Sequence, residues 1–280
     1  MQENQKASVH LEAPDADGVA VLWFDANDKK VNTLSVSMIP EFEKVLKELN
    51  SQDGLRALVL ASGKESCFIA GADLDDLDGV DSAARGTELS KVGQEMTATL
   101  SNLSVPTVAA IHGDCLGGGL EVALACSARV ASSSRKTKLA LPEVMLGLLP
   151  GAGGTQRLPK LVGLQAALDM MLTGRNISAR RALKMGLVSD VLPRTQLIAG
   201  AKKLALKLVA GKPLPAKKPP LSKALLNFAL EGNPLGRQVV FSQAEKMVLK
   251  QTKGLMPAPL KILEAVKAGS YEKEAKGFGE

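Results

Sequence analysis

Aromatic residues are nearly missing from this chain. Phe, Tyr and Trp together make 3% of its 280 residues, with a single Trp and a single Tyr. Its core must be built from Leu, Val, Ala, Ile and Met. Long apolar runs are missing too: none approaches the roughly 18 residues of a membrane helix. The first ten residues, MQENQKASVH, contain no apolar signal-peptide core. A cytoplasmic protein is the expectation, or a mitochondrial or peroxisomal one if the source is eukaryotic. Cysteine is sparse. Cys67, Cys115 and Cys126 show no CxxC pairing and no histidine at ligand spacing, which argues against a zinc site or a disulfide framework. Each lies among small or apolar residues and reads as a reduced core thiol. No strand–GxGxxG–helix fingerprint occurs, so NAD chemistry is not expected on this chain. No metal and no separate cofactor is called for, and no repeat of fixed period is visible.

What is present is ordinary for a globular protein: 45% hydrophobic and 23% charged residues. The length allows one large core, or a core with an appended helical segment. The net charge of +6 is compatible with nucleic acid, a membrane surface or a polyanionic small molecule, and does not choose among them.

Residues 8–11 and 18–25 read as a strand pair around a turn at 14–18. Ser35 opens a helix whose apolar face carries Phe42, Val45, Leu46 and Leu49. The runs 56–62 and 107–111 look like strands buried on both faces, and 128–132 like another strand. Helices are expected at 86–103, 119–126, 164–174 (ending on a glycine cap) and 177–186, the last capped by Ser178. Residues 187–193 read as a short strand or extended piece. This alternation predicts an α/β fold with parallel pairing. After residue 211 the composition turns to KPLPAKKPP, a connector, followed by a helical pattern at Leu225, Phe228 and Ala229. We therefore expect a catalytic core over 1–195 and a helical segment over 196–280.

Two stretches carry the candidate chemistry: CFIAGADL at 67–74 and IHGDCLGGGLE at 111–121. Gly117, Gly118 and Gly119 run straight into a helix, whose first N–H groups and positive dipole end favour developing negative charge. A second free N–H at Ala72 would complete the two donors of an oxyanion hole. Glu121 stands on the first turn of that helix, and Glu143 opens another short one. Two carboxylates at one pocket suit an acid and a base. Each feature has a plainer reading: a packing turn for the glycines, a first-turn acidic residue for each Glu. His112 reads as a hydrogen-bonded strand-end residue, since no Ser or Cys nucleophile pattern accompanies it. Gly151–Thr155 lacks the GK[ST] of a phosphate loop and reads as a turn shaping the pocket beside Glu143. Met170, Met171 and Met185 read as packing or acyl-chain contacts.

The motifs FIAGADL (68–74), IHGDCLGGGLEVALAC (111–126), LALPEVMLGLLPGAGGTQRLPKLVG (139–163) and LTGRNISARRALKMGLV (172–188), in this order, resemble those of the crotonase (enoyl-CoA hydratase/isomerase) superfamily. The resemblance spans about residues 8–195. The stretch 139–193 and the tail 254–280 are similar to the hydratase domain of multifunctional fatty-acid oxidation alpha subunits, in which a dehydrogenase domain follows. The chain is then expected to be either a piece of a longer protein or a stand-alone relative. The resemblance implies a spiral of ββα units with C-terminal helices. It implies that the Ala72 and Gly118 N–H groups hold a thioester oxygen while Glu121, as base, and Glu143, as acid, flank a water. It also implies substrate contacts at Ala70, Gly71, Asp73, Leu74, Leu116, Gly117, Pro142 and Gly151. The implied reaction is addition of water to a 2-trans-enoyl-CoA in fatty-acid β-oxidation, with coenzyme A as part of the substrate. Where some single-function hydratases have a lysine after the GAD stretch, this chain reads Leu74-Asp75-Asp76, leaving Lys29, Lys30 and Lys64 as candidates for the phosphates. The implied partners are an acyl-CoA and either further copies of the chain or, in a full-length protein, a thiolase beta subunit. The competing readings are a Δ3,Δ2-enoyl-CoA isomerase and a silent RNA-binding or scaffold relative. Both carboxylates and the complete glycine loop argue against the last.

Overall fold

In a computed structural model the chain is described over residues 7–27, 29–49, 52–212, 214 and 230–271. Most of the Pro/Lys connector and the helical pattern at Leu225, Phe228 and Ala229 lie outside these residues.

A six-stranded sheet forms the frame, in the order β1 (Val9–Glu12), β2 (Val19–Phe24), β3 (Ala57–Ser62), β5 (Thr107–Ile111), β7 (Ala128–Ser132) and β10 (Asp190–Leu192). Only the β1–β2 hairpin is antiparallel. A second sheet holds β4 (Cys67–Ile69), β6 (Asp114–Leu116), β8 (Lys138–Ala140) and β9 (Ile177–Ser178). The chain steps from one sheet to the other and then into a helix. β3 and β4 lead to α2 (Leu74–Asp78) and α3 (Ala83–Ser101). β5 and β6 lead to α4 (Gly118–Ala125). β7 and β8 lead to a 3-10 turn (Glu143–Leu146) and α5 (Gly154–Val162). This is the expected spiral of ββα units.

The period-2 alternation of strands divides the large sheet's residues between two cores. Ala20, Leu22, Phe24, Leu58, Leu60, Ala109 and Ile111 face the main core, with α1 (Met38–Leu49) and α4. Phe24 meets Phe42 and Phe68 edge to face, at centroid distances of 5.1 and 6.1 Å, so three of the six phenylalanines sit together. Val19, Val21, Ala57, Val59, Val108 and Val130 face the other way, under Leu197, Ala201, Leu204 and Ala205 of α8 (Leu197–Val209). Residue 195, the expected end of the core, is thus followed at once by a helix that closes the outer face of the sheet.

Expected caps are where the sequence places them. The Ser35 hydroxyl and carbonyl accept from the Met38 N–H, starting α1. Ser178 caps α7 (Ala179–Met185), and Gly174 ends α6 (Leu164–Thr173) in the left-handed region. Helices α9 (Pro234–Thr252) and α10 (Pro257–Tyr271) return to the body and bury Val240, Phe241, Val248, Ile262, Leu263 and Val266 in the main core, against α5 and α6.

Candidate active site

Helix α4 begins two residues after β6. All its residues from Gly119 to Ala125 are buried, so it is apolar on every side but for one carboxylate. Glu121 is 2% exposed. An ionised group so placed is costly unless partnered. Its partners are backbone: Oε1 accepts the N–H of Ala152 at 2.8 Å and of Gly154 at 2.7 Å. Gly154 is the first residue of α5, so the carboxylate caps the positive end of that helix. Gly153, at φ 99°, makes the turn that aims both N–H groups at one oxygen. The Gly151–Thr155 loop, expected to shape the pocket beside Glu143, supplies these donors to Glu121. The direction of a left-handed turn is not visible in the residue types.

Glu143 opens the 3-10 turn that follows Pro142. Its Oε1 stands 3.2 Å from where a β-carbon on Gly117 would be, so it faces the start of α4. Its Oε2 is buried and has no hydrogen-bond partner in the structure. Burial pushes Glu121 up to about 7, against the pull of the Gly154 and Ala152 N–H groups and the Arg157 charge. Burial, then the charge of Glu121, pushes Glu143 up to about 8. The two environments differ in kind. Glu121 has two N–H donors from another element for an anion, whereas Glu143 has only its own backbone N–H and an unpartnered Oε2.

The loop of the first motif lies alongside. Leu34 and Ala72 form a parallel bridge in which the Leu34 N–H donates to Gly71 and its carbonyl accepts from Asp73. In that pairing the central residue, Ala72, turns its own N–H away from Leu34. Gly118 is the first residue of α4, and a first-position N–H has no acceptor within its helix. A β-carbon on Gly118 would stand 3.8 Å from the Ala72 nitrogen, so the two donors are neighbours. The three glycines divide the labour: Gly117 supplies φ 52°, Gly118 the donor, and Gly119 the room for α4 to press on Ile69.

Residue types gave no hint of Asn32, which fixes this loop. It is fully buried. Its amide donates to the carbonyls of Phe24 and Phe68 and to the Ser62 hydroxyl, and its Oδ1 accepts the Ala26 N–H. Its own carbonyl accepts from Ala70, two residues before the Ala72 donor. A lone Asn in VNTLS gives no sequence signal of such a role.

The remaining expected contacts separate into two groups. Gly71 and Leu116 are close neighbours beside the glycine loop: a β-carbon on Gly71 would stand 3.4 Å from the Leu116 carbonyl. Pro142 and Gly151 flank the two carboxylate turns, and the Gly151 carbonyl accepts from Gln94. Asp73 is occupied structurally. It pairs with Lys29 at 2.6 Å, accepts from Thr33 and from the Asp75 N–H, and its pKa is lowered chiefly by the Lys29 and Thr33 bonds. Leu74 is 61% exposed at the start of α2. Among the lysine candidates, Lys64 is tied to Asp25 and the Ala26 carbonyl, Lys29 to Asp73, and Lys30 is exposed. His112 bonds Ser132 through Nδ1 and the Glu65 carbonyl through Nε2, as expected of a strand-end residue, and burial lowers its pKa. Cys67, Cys115 and Cys126 are buried free thiols, and burial raises the pKa of each.

Two sheets stepped through by ββα units, with a glycine-led buried helix between them, define a crotonase-type α/β domain. A model of the family described as enoyl-CoA hydratase/isomerase matches residues 15–253, and the chain belongs to that family. The fatty acid oxidation complex subunit alpha of Shewanella baltica (strain OS185) is 50% identical over 262 residues, covering 94% of this chain and 36% of that subunit. The subunit of the same name from Shewanella loihica is 50% identical over 271 residues. The chain thus spans about a third of the length of these curated relatives. Among solved structures, an enoyl-CoA hydratase from Bacillus anthracis superposes with a TM-score of 0.67 at 31% identity, covering 93% of this chain and 96% of that one.

Proposed function

We propose that this chain hydrates 2-trans-enoyl-CoA thioesters to 3-hydroxyacyl-CoA, as a step of fatty-acid β-oxidation. The observation that carries the reading is the pair of buried carboxylates in unlike settings beside two free N–H donors. Burial and mutual repulsion favour a proton on the pair, and the donors at Glu121 favour its residence on Glu143. The thioester oxygen accepts from the Ala72 and Gly118 N–H groups. Glu121 takes a proton from water as the water oxygen bonds to C3. The C2–C3 π electrons move into the thioester, giving an enolate oxygen held by the two donors, and Glu143 delivers its proton to C2. A proton then returns from Glu121 to Glu143, and one water has been added. The donors act on charge that exists only during the reaction, where such contacts count most.

The name of the Shewanella relatives, and their greater length, support assembly of this domain within a larger complex. We take a thiolase beta subunit or further copies of the chain as partners and the cytoplasm as location. Among the described residues no helix is long and apolar enough to cross a membrane.

The test is loss of enone absorbance from crotonyl-CoA and a longer 2-enoyl-CoA. Glu121→Gln and Glu143→Gln should each lower the rate by about 10²-fold or more, as expected for loss of an acid or base. A folded wild type inert on both substrates would overturn the proposal. Conversion of a 3-enoyl-CoA without hydration would put the isomerase in its place.

A further inference from the structure

We infer that Arg157, anchored by Thr97, is a positioning residue that keeps Glu121, rather than Glu143, the ionised member of the carboxylate pair. This rests on the hydratase reading of that pair.

The turn 152–154 supplies both N–H groups that bind Glu121. Between them lies the Ala152 carbonyl, which is doubly held. Thr97 Oγ1 donates to it at 2.8 Å and Arg157 Nη1 at 3.0 Å. The same guanidinium reaches Thr97 Oγ1 at 3.1 Å and Ser101 Oγ at 3.3 Å. Pinning that carbonyl fixes the peptide plane that separates the two donors, and hence their common aim at one carboxylate oxygen. The guanidinium also fills the space a β-carbon on Gly153 would need, so a side chain at 153 and the arginine in this position exclude each other. A cation in the first turn of a helix sits against the helix dipole. Arg157 holds that unfavourable position in α5 and is attracted by the charge of Glu121.

The charged and titratable groups around Glu121 are few. Glu143 faces it from the 3-10 turn and Arg157 from α5. Cys115, Cys126 and the buried Arg129 belong to the neighbouring β6, the end of α4 and β7. The charged residues of α3, Arg85, Glu88, Lys91 and Glu95, are exposed, and α3 meets the turn through the neutral Thr97 and Ser101. Of the two carboxylates, Glu121 alone has its pKa lowered by the arginine's charge.

The experiment compares Arg157→Met, Arg157→Lys and Thr97→Val. One readout is the pH profile of kcat/KM for crotonyl-CoA hydration. The other is an infrared titration of the Glu121 carboxyl in a Glu143→Gln background, identified by its loss in the Glu121→Gln double variant. With the charge removed, activity should fall about tenfold further on the acid side of the optimum than on the alkaline side, and the Glu121 midpoint should rise by about one pH unit. Arg157→Lys should restore the acid limb, and Thr97→Val should move the midpoint upward by less. Equal losses at every pH with an unmoved midpoint would make Arg157 a mere brace and overturn the inference. If Arg157→Met does not fold, an unmoved midpoint in Thr97→Val overturns it equally. A wild type without hydratase activity whose midpoint still rises in Arg157→Met would sink the hydratase reading and leave the placement of charge standing.

Discussion

Glu143 is the residue whose chemistry and stability pull in opposite directions. Its oxygen is buried without a partner beside a second carboxylate, an arrangement that favours the protonated form. Its pKa rises from the ordinary 4.5 to about 8 on folding. Folding therefore favours the bound proton. That contribution is complete below about pH 4.5 and is lost as the pH rises through 8, where an uncompensated charge remains. A glutamine carries no such penalty. Glu143→Gln should lie close to the wild type in stability near pH 5 and exceed it at pH 8.5 by on the order of 4 kcal/mol, about ten degrees in melting temperature. Thermal melts of both proteins across this range check it. A stability difference that does not grow with pH would show that the carboxylate is solvated in the folded state. Glu121→Gln should gain less, because its two N–H donors already favour the anion.

At the scale of elements, the site depends on how closely α4 lies on β4. A β-carbon at Gly119 would stand 2.8 Å from Cβ of Ile69 and nearer still to its carbonyl oxygen. Gly119→Ala must push the helix away from the strand, carrying the Gly118 donor and Glu121 with it. We expect a loss of about 1–3 kcal/mol in stability, or more, together with most of the activity. Gly54→Ala provides the comparison. Gly54 also has a positive φ, 76°, but open space around it, so the change should cost only about 1 kcal/mol of backbone strain and leave the rate alone. Melts and enone-loss rates of the two variants separate close packing from strain. Elements of this kind were unequally legible in the sequence. β3, β5 and β7 stand out because both their faces are buried, which leaves uninterrupted apolar runs. β4, β6, β8 and β9 have three residues or fewer, too short for any period to show, yet they build the second sheet. Glu121 and Glu143 are suggested as a pair by their glycine-rich and helix-start settings, but their assignment to one water comes from a family resemblance, since neither spacing nor helix face relates a residue of α4 to one in a distant 3-10 turn. The donors to Glu121 and the clamp of Arg157 depended on the turn at Gly153, whose direction only the folded chain reveals.

For the whole molecule, the question is whether the returning helices merely follow the catalytic body or complete it. Their apolar residues enter the same core that surrounds α4, and α10 packs on α5, the helix whose N-terminus holds Glu121. Polar ties reinforce the docking. The Glu231 carboxylate accepts from the Leu164 and Gln165 N–H groups at the start of α6, Gln156 donates to the Ala265 carbonyl, and Arg237 to that of Ser270. A chain ended after residue 212 loses this cover and exposes a contiguous apolar surface on α5 and α6. Its melting temperature should fall by on the order of 10 °C, with strong binding of a hydrophobic dye, given roughly 1.5–3 kcal/mol for each large side chain removed from the core. Its rate in the enone-loss assay should fall too, because the start of α5 orients Glu121. Glu231→Gln tests the cap alone and should cost only about 1 kcal/mol. If the shortened chain melts and turns over like the full one, α9 and α10 are an appendage and the core ends with α8. If it unfolds while Glu231→Gln is nearly silent, burial rather than the cap is what the returning helices contribute, and the carboxylate site is a property of the body and the C-terminal helices together.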